Sequence, residues 1–251
     1  MEQHELQHSI FYRHFDLPAN FPVIGLLGQS WRITDAPVIR MHFHNCMEIG
    51  YLYAGSVQFY IGDSVLPFSA PCLVIAPSNM PHAHRADPGT ECCCKWIYVD
   101  PQTMLPNLSP RLSSKLGEYQ RGLSGKECIL AGEDFPEVIS LIRMIIDEME
   151  KAQLHYQHIV RELFCSSFLM LLRSYSGTAS RDRYVNTQLG CIAPAIAYIA
   201  ENYMEEIPID RLSQLCHVST SHFRRLFKQV LGWAPLDYDW TAGGVSFPFQ
   251  L

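Results

Sequence analysis

Two hydrophobic periods divide the chain. In the first hundred residues the apolar side chains fall in short runs, which alternate with polar positions at 57–63 and 92–99 and are continuous at 51–55 and 72–76. This alternation, bounded by glycine and proline, is typical of half-buried β-strands. Beyond Asp134 the apolar residues recur every three to four positions, which predicts amphipathic helices. The pattern therefore predicts a mainly β N-terminal part followed by an all-α C-terminal part.

The first helices are expected to form a pair. Val138, Ile142 and Met149 share one helical stripe, and Pro136 suits the helix start. A second apolar stripe over residues 155–175 follows after a short connection, which predicts an antiparallel arrangement. Both apolar faces are wide, and two interpretations stay open: packing against the β part alone, or packing together with dimerisation.

Weaker patterns mark the boundaries between these parts. Pro18 and Pro22 block a long helix near the N-terminus, so an extended arm is expected there. Residues 111–123 suit a modest helix. The expected organisation is an arm at 1–22, a β domain at 23–132, the helix pair at 133–176, a linker at 177–189, a helical segment at 190–238 and a tail at 239–251.

Three short helices are expected between residues 190 and 238. The second begins near Pro208, and the third opens at Ser219 or Ser221 as its N-cap. The inward positions of the third helix are Phe223, Leu226, Phe227 and Val230. The last two helices, joined by a short turn, have the spacing of a helix-turn-helix.

The third helix differs in charge from the rest of the chain. The net charge of −6 offers no overall attraction for nucleic acid. Between residues 217 and 232, however, the charged residues are Arg224, Arg225 and Lys228, with no aspartate or glutamate. A helix with this basic face fits the major groove, where early residues reach base edges and later ones reach phosphates. Promoter DNA is therefore an expected partner.

The amino-acid composition indicates the cellular compartment of the protein. With 48% apolar and 18% charged residues the chain can bury a substantial core. Its nine cysteines lack the repeated pair spacing of a zinc module, and neither a signal peptide nor a membrane-spanning apolar run is evident. A reduced, cytoplasmic protein without a membrane partner is the expectation.

Polar side chains gather on one predicted strand and two later segments. Arg40, His42 and His44 alternate onto one face of the strand. Three imidazoles and a carboxylate from separate strands suit a divalent transition metal, with Zn, Ni, Fe and Mn as candidates. The predicted metal ligands are His42, His44, Glu48 and His82. A metal-free lining that hydrogen-bonds an organic effector is the alternative, and it stays open.

Four further residues are candidates for effector contact: Arg40, His84, Trp96 and Tyr98. Arginine and aromatic side chains suit a sugar or a carboxylate-like small molecule. The alternative for each is an ordinary position in the wall of the β domain.

The spacing of the polar cluster resembles a known family. Cupin β-barrels carry two short motifs, and this sequence resembles them at His42-x-His44-x3-Glu48-x6-Gly55 and at Pro77-x-Asn79-x2-His82. Asn79 stands where the family usually has glycine, and asparagine tolerates the positive φ that a turn there requires. The resemblance implies a jelly-roll barrel around the cluster.

The C-terminal helices carry a second resemblance. Residues 209–238 look like the first helix-turn-helix of the AraC-type transcription regulators, with Leu212-x2-Leu215, Val218-Ser219 and Phe223-x-Arg225-x-Phe227-Lys228. Those regulators join a cupin-like effector domain, through a helical linker, to two helix-turn-helix units. By position, the resemblance implies base contacts by Ser221, Arg224 and Arg225, and phosphate contacts near Thr220, His222 and Lys228.

The match ends at Tyr238. The residues after it include Gly243, Gly244 and Pro248, which will not sustain a long helix. The second helix-turn-helix of the family is therefore expected to be missing, and DNA binding is expected to be impaired unless the chain dimerises.

Two functions from different classes follow. The favoured one is a ligand-responsive transcription regulator, an expected homodimer, in which a small molecule in the barrel alters the placement of the DNA-reading unit. The alternative is a metal-dependent cupin enzyme, a dioxygenase or an isomerase, because three histidines and a glutamate leave open positions on a metal. An enzyme has no need of a helix-turn-helix, so no enzymatic activity is expected.

Overall fold

Two β-sheets form most of the N-terminal half. The computed structural model describes residues 10–29, 31–38, 41–61, 64–123, 125–174, 188–202, 207–231 and 234–235. Its strands are β1 (Ile10–Arg13), β2 (Val23–Leu26), β3 (Arg32–Thr34), β4 (Met41–His44), β5 (Met47–Ala54), β6 (Ser56–Ile61), β7 (Ser64–Ser69), β8 (Cys72–Ala76), β9 (His82–Ala86), β10 (Glu91–Val99) and β11 (Ile129–Ala131).

The strands interleave between the sheets. One sheet has the order β1-β4-β9-β6-β7 and the other the order β11-β8-β5-β10-β2, with β3 also paired to β10. Within the described residues no strand pairing joins the two sheets. The predicted fold class, a sheet-rich cupin-like domain followed by helices, is therefore confirmed. Its two sheets enclose the core without strand pairing between them in the described part of the chain.

Alternating side chains decide what fills the space between the sheets. In β6, Val57, Phe59 and Ile61 are buried, while the residues between them are half-buried. These three share one buried cluster with Leu52 and Ile97 from the other sheet. Each such apolar side chain contributes roughly 1.5–3 kcal/mol relative to an exposed position.

The helices follow the predicted periodicity closely. They are α1 (Pro101–Met104), α2 (Pro110–Gly122), α3 (Pro136–Lys151), α4 (Tyr156–Ser174), α5 (Gln188–Asn202), α6 (Ile209–Leu215) and α7 (Thr220–Leu231), with a short 3-10 helix at Gly125–Cys128. Pro136 occupies the first turn of α3 as expected. The predicted helices at 111–123, 155–175 and after Pro208 are confirmed.

The helix pair packs against the β domain. Ile142 and Ile145 of α3, with Phe164 and Phe168 of α4, belong to the same buried cluster as the sheets. This packing is common to both interpretations and does not distinguish between them. The outer faces still carry apolar side chains: Met144, Ile159 and Leu169 are 49%, 41% and 36% exposed. Dimerisation through these faces stays a prediction.

The last three helices have a core of their own. Phe223 and Phe227 of α7 are fully buried and Leu226 nearly so, as predicted, while the side chain of Val230 lies outside the described residues. The cluster also includes Ile192 and Ile196 of α5. Ser219 is the N-cap of α7, and its hydroxyl accepts from the backbone N–H of His222 at 3.3 Å.

Two residues of the β domain complete this helical core. Tyr12 of β1 and Phe43 of β4 are buried in the same cluster as Phe223 and Phe227, and the rings of Tyr12 and Phe43 lie 5.1 Å apart. Helix α7 also contacts β1. The outer face of the β1/β4 pair is thus the surface on which the helix-turn-helix unit rests.

Part of the expected arm is a strand of the sheet. Ile10–Arg13 pairs in parallel with Met41–His44, so this stretch is held by backbone hydrogen bonds rather than extended freely. Residues 1–9, Arg40, most of the expected linker and residues 239–251 lie outside the described residues. Among the described helices, none has the length and apolar character needed to cross a bilayer.

Candidate functional site

The two sheets bring the predicted metal ligands together. His42 and His44 lie on β4, His82 on β9 and Glu48 on β5 of the facing sheet. His42 and His82 are direct partners across the antiparallel β4/β9 pair. Asn79 turns the chain into β9 with φ 60°, as the motif predicted, and its N–H donates to the carbonyl of His44 at 2.8 Å.

The four side chains form one buried cluster. Their candidate ligand atoms all lie within 4.8 Å of one another. Glu48 Oε2 lies 3.2 Å from His44 Nε2 and 3.4 Å from His82 Nε2. His44, Glu48 and His82 are almost fully buried, and His42 is half-buried. A set of three imidazoles and one carboxylate fits a divalent transition metal by ligand type and number.

Backbone hydrogen bonds fix the orientation of two imidazoles. The Nδ1–H of His44 donates to the carbonyl of Cys46 at 2.9 Å, and the Nδ1–H of His82 donates to the carbonyl of Met80 at 2.8 Å. Because a carbonyl only accepts, a neutral ring in either position presents a lone pair at Nε2. Both lone pairs face Glu48 Oε2, an arrangement that a cation or a proton between them stabilises. Histidine ligands of metals are commonly held by such second hydrogen bonds.

Burial and neighbouring side chains shift the pKa values of three members of the cluster. Burial holds the pKa of His42 well below its ordinary value, with the neighbouring His82 imidazole acting in the same direction, and burial also lowers the pKa of His44. Burial alone would raise the pKa of Glu48, but the neighbouring imidazoles of His82 and His44 hold it well below its ordinary value. Neutral imidazoles beside an ionised carboxylate are the state in which such side chains bind a metal.

Two of the predicted effector residues border the cluster. His84 stacks on Phe59 with ring centroids 4.8 Å apart, and its Nε2 lies 4.0 Å from Glu48 Oε1. Burial lowers the pKa of His84 to about 3, so the ring is neutral. Tyr98 is opposite Glu48 on the neighbouring strand, and burial together with the charge of Glu48 holds its pKa well above the ordinary value.

A pocket of about 410 Å³ opens onto the cluster. The predicted residues His84, Trp96 and Tyr98 line it, together with His42 and Glu48. Arg40 lies outside the described residues, so its predicted role stays a prediction.

The sequence reasoning missed several lining residues, and the three with charged or aromatic side chains are Arg13, Trp31 and Arg32. They come from β1, from β3 and from the segment before β3. The apolar run at residues 10–12 is the feature that could have indicated a strand there, but nothing in it indicates pairing with β4.

Gly50 gives Trp96 its place in the pocket wall. The two residues are partners across β5 and β10. A Cβ on Gly50 would lie 2.2 Å from the Trp96 ring, which is far inside contact distance. Glycine is therefore required at this position for the indole to lie flat against the strand.

The predicted DNA-contacting residues lie at the start and on the outer face of α7. Ser221, His222, Arg224, Arg225 and Lys228 are all exposed. Thr220 differs, since it is half-buried and its hydroxyl donates to Asp210 Oδ1 at 2.8 Å. Thr220 thus ties α7 to α6 at the turn, while the other side chains point away from the helical core.

Family comparisons identify both parts of the chain. Residues 23–168, more than half of the 251 residues, match the AraC-like ligand binding domain. The chain belongs to the AraC family. Residues 199–238 match the bacterial regulatory helix-turn-helix proteins of the AraC family, so one such unit is matched. This AraC-family protein is a transcription regulator with a ligand-binding domain and not an enzyme, and the cupin-enzyme alternative is set aside.

Several solved structures are similar to this AraC-family chain. One is an apo variant of ToxT from Vibrio cholerae strain SCE256, with 13% identity, a TM-score of 0.38, and coverage of 88% of this chain and 97% of that chain. Another is the AraC-like transcriptional activator CuxR, with 12% identity, a TM-score of 0.41, and coverage of 73% of this chain and 61% of that chain. A Cupin 2 conserved barrel domain protein from Salinispora arenicola CNS-205 is also similar, with 16% identity, a TM-score of 0.26, and coverage of 35% of this chain and 82% of that chain. Likeness at this level carries no argument about ligand or activity. A search of the curated proteins found no match.

Proposed function

We propose that this regulator couples a small-molecule site between its sheets to the placement of its DNA-reading helix. The observation that carries the proposal is the alternation along β4. His42 and His44 face the cluster, while Phe43 between them is fully buried in the helix-turn-helix core. On β1, Arg13 lines the pocket and Tyr12 joins the same core. A ligand that shifts either strand therefore acts on both sites.

The proposed DNA-reading surface is the exposed face of α7. Ser221, Arg224 and Arg225 are assigned to base edges, because arginine pairs bidentately with guanine. His222 and Lys228 are assigned to phosphates near the helix ends. The Thr220 side chain, which the sequence placed near a phosphate, is assigned to the turn instead, because its hydroxyl donates to Asp210 Oδ1. A single unit makes few phosphate contacts, so its affinity is expected to be modest. Its dependence on salt is expected to be shallow, because the salt slope scales with the number of phosphates that are neutralised.

DNA selected from a random-sequence pool by the full chain provides the probe for this proposal. Arg225→Ala is expected to weaken binding of the selected DNA by about 1–3 kcal/mol, which is roughly fivefold to 150-fold. Arg173→Ala, an exposed arginine near the end of α4, is the matched control and should bind as the wild type does. Unchanged affinity of a folded Arg225→Ala chain would overturn the assignment.

A divalent metal is proposed in the cluster of His42, His44, Glu48 and His82. The support is the orientation of the Nε2 atoms of His44 and His82 toward one carboxylate oxygen. Such a metal would supply a positive charge at the inner end of the pocket. Calorimetric titration of the EDTA-treated chain with Zn²⁺ should give one site, lost in His44→Gln. No zinc binding above that of His44→Gln would favour the metal-free lining.

A homodimer is proposed, with the outer faces of α3 and α4 as its interface. The cytoplasm, where promoter DNA is found, is the proposed location of the protein. The support is the exposure of Met144, Ile159 and Leu169 on those faces. Sedimentation of the full chain is expected to show a dimer that Leu169→Glu dissociates. A wild-type monomer at micromolar concentration would contradict this assignment.

A further inference from the structure

The buried side chain of His82 has one ring nitrogen, Nε2, that makes no hydrogen bond to any described residue. Its other nitrogen is already engaged, because the Nδ1–H donates to the carbonyl of Met80 at 2.8 Å. In a neutral ring Nε2 is therefore an acceptor, and it lies 3.4 Å from Glu48 Oε2, which in the ionised carboxylate also only accepts. Two buried acceptors that face each other need a cation or a proton between them.

The distances around Glu48 distinguish a cation from a shared proton. Hydrogen bonds between a charged nitrogen and a carboxylate are about 2.7–2.9 Å long. Glu48 Oε2 lies farther away, at 3.2 Å from His44 Nε2 and 3.4 Å from His82 Nε2. A tetrahedral metal with bonds of about 2.0–2.2 Å holds its ligand atoms about 3.4 Å apart. The spacing therefore fits ligands of a common metal ion better than partners that share a proton.

The pocket gives an ion access to this cluster. His42 and Glu48 line the pocket, whereas His44 and His82 are completely buried. An ion that enters through the pocket therefore reaches His42 and Glu48 first. A set rich in imidazole nitrogen favours transition metals, while Mg²⁺ and Ca²⁺ prefer oxygen ligands.

Both ligands on β4 are direct neighbours of Phe43. His42 and His44 belong to the cluster, and Phe43 between them is completely buried. Its side chain lies in the helix-turn-helix core with Phe223 and Phe227. Alternate side chains of a strand share one backbone, so a shift that brings the two imidazoles to an ion also moves the aromatic ring between them.

The His44 ring also contacts the segment that follows β1. The ring of Phe15 lies edge-on to it, with the centroids 5.5 Å apart. Asn45 holds the Phe15 backbone through two hydrogen bonds of 2.9 Å. Tyr12, just upstream on β1, is buried in the helix-turn-helix core. Packing thus joins the same imidazole to that core at a second place.

We infer that a divalent transition metal in the cluster is itself the signal of this regulator. His42 and His44, when they share the ion, fix β4 and with it the position of Phe43 against the helix-turn-helix core. This assignment rests on the proposed function, since it names the ligand that drives the coupling. An organic molecule that acts in the pocket without the metal is the competing ligand.

DNA affinity with and without the metal tests the assignment. The full chain selects DNA from a random-sequence pool, once in EDTA and once with saturating Zn²⁺, and both sets are titrated in both buffers. Zn²⁺ is expected to change the affinity by about fivefold or more. By linkage, saturating DNA should change the calorimetric Zn²⁺ affinity by the same factor. Mg²⁺ at equal ionic strength should have no such effect, which separates a bound metal from a general effect of salt.

Variants locate the response in the cluster and in β4. His44→Gln should abolish the response to Zn²⁺, while Phe43→Leu should bind Zn²⁺ as the wild type does but lose most of the change in DNA affinity. His158→Gln, an exposed histidine on α4, is the matched control and should keep the full response. Urea unfolding of each variant allows affinities to be compared at equal folded fraction. A folded Phe43→Leu chain with the full response would overturn transmission through β4.

The possible outcomes separate this assignment from the proposed function. Selective DNA binding that is equal with and without bound Zn²⁺, or that Mg²⁺ changes as much as Zn²⁺ does, would overturn the metal as the signal and leave coupling to an organic ligand standing. Zn²⁺ binding no tighter than that of His44→Gln would have the same result. A chain without selective DNA binding in either buffer would sink the proposed function itself.

Discussion

The buried cluster and helix α7 use ionisable side chains in opposite ways. The cluster buries His44, Glu48 and His82 almost completely, and it collects them from strands of two different sheets. Helix α7 keeps Arg224 and Arg225 exposed, on one face of one helix. Burial lowers the pKa of His44, and the neighbouring imidazoles lower the pKa of Glu48 against the effect of its burial. Exposure leaves Arg224 and Arg225 solvated and available to a partner.

The two regions nevertheless share a wall. His42 and His44 on one face of β4 belong to the cluster, and Phe43 on the other face belongs to the helical core. Side chains of a strand alternate between its faces, so one short strand serves both regions. The difference between them teaches that chemistry buried in a core is fixed by distant parts of the chain, while a binding face on a helix is fixed locally.

Removing the Phe43 side chain from the shared strand β4 should have the largest effect on the free energy of unfolding. Phe43→Ala leaves a cavity between β4 and the helical core, where Phe43 is completely buried. Such a change lowers the free energy of unfolding by about 3–5 kcal/mol. Urea unfolding of the full chain measures it, and loss of selected-DNA binding at equal folded fraction would show that the wall also transmits the signal.

Val65→Ala is the control for the shared wall. Val65 lies in the same sheet, on β7, but is 38% exposed. Its truncation should cost well under about 1 kcal/mol, as at other exposed positions. If Phe43→Ala and Val65→Ala lowered the free energy of unfolding equally, the two regions would not share a packed interface.

Lowering the pH should have the next largest effect on stability, and it should act through the buried cluster rather than through helix α7. His84 titrates near its ordinary pKa of 6.5 when unfolded, and burial lowers its pKa to about 3 in the fold. The unfolded chain therefore binds the extra proton, so the contribution of His84 is complete above pH 6.5 and is lost as the pH falls toward 3. At pH 5 the loss is about 2 kcal/mol for this group alone.

The lowered pKa values of His42, His44 and Glu48 act in the same direction. Urea unfolding in EDTA between pH 7.5 and pH 5 measures the combined slope. His84→Asn removes one titrating group and should show a shallower fall. A wild-type stability that stays level over this range would mean that the imidazoles are not buried in neutral form.

The smallest expected effect concerns the turn before α7. Thr220→Val removes the hydrogen bond to Asp210 Oδ1 at 2.8 Å and should lower the free energy of unfolding by about 1 kcal/mol. Ser221→Ala, one residue along and exposed, should leave the unfolding free energy within about 0.5 kcal/mol of the wild type. The opposite ranking of the two variants would contradict the assignment of Thr220 to the turn and Ser221 to the outer face.

Motif spacing located most of the candidate site. It indicated His42, His44, Glu48 and His82, which the fold brings within 4.8 Å, because the two cupin motifs specify both the strands and the turn at Asn79. It did not indicate Arg13 or Arg32. These residues reach the pocket through the parallel pairing of β1 with β4 and the pairing of β3 with β10, and no local pattern specifies such long-range pairings.

The sequence by itself determined the period of each segment, the positions of the helices and the basic outer face of α7. These depend on residues within one or two turns of each other, so alternation and helical periodicity suffice to place them. The tertiary structure alone decided that two sheets face each other without closing, that Arg13 joins the pocket and that Phe43 joins the helical core. Those outcomes depend on which buried surfaces meet across the fold, and the free energy of that packing is spread over residues far apart in the chain.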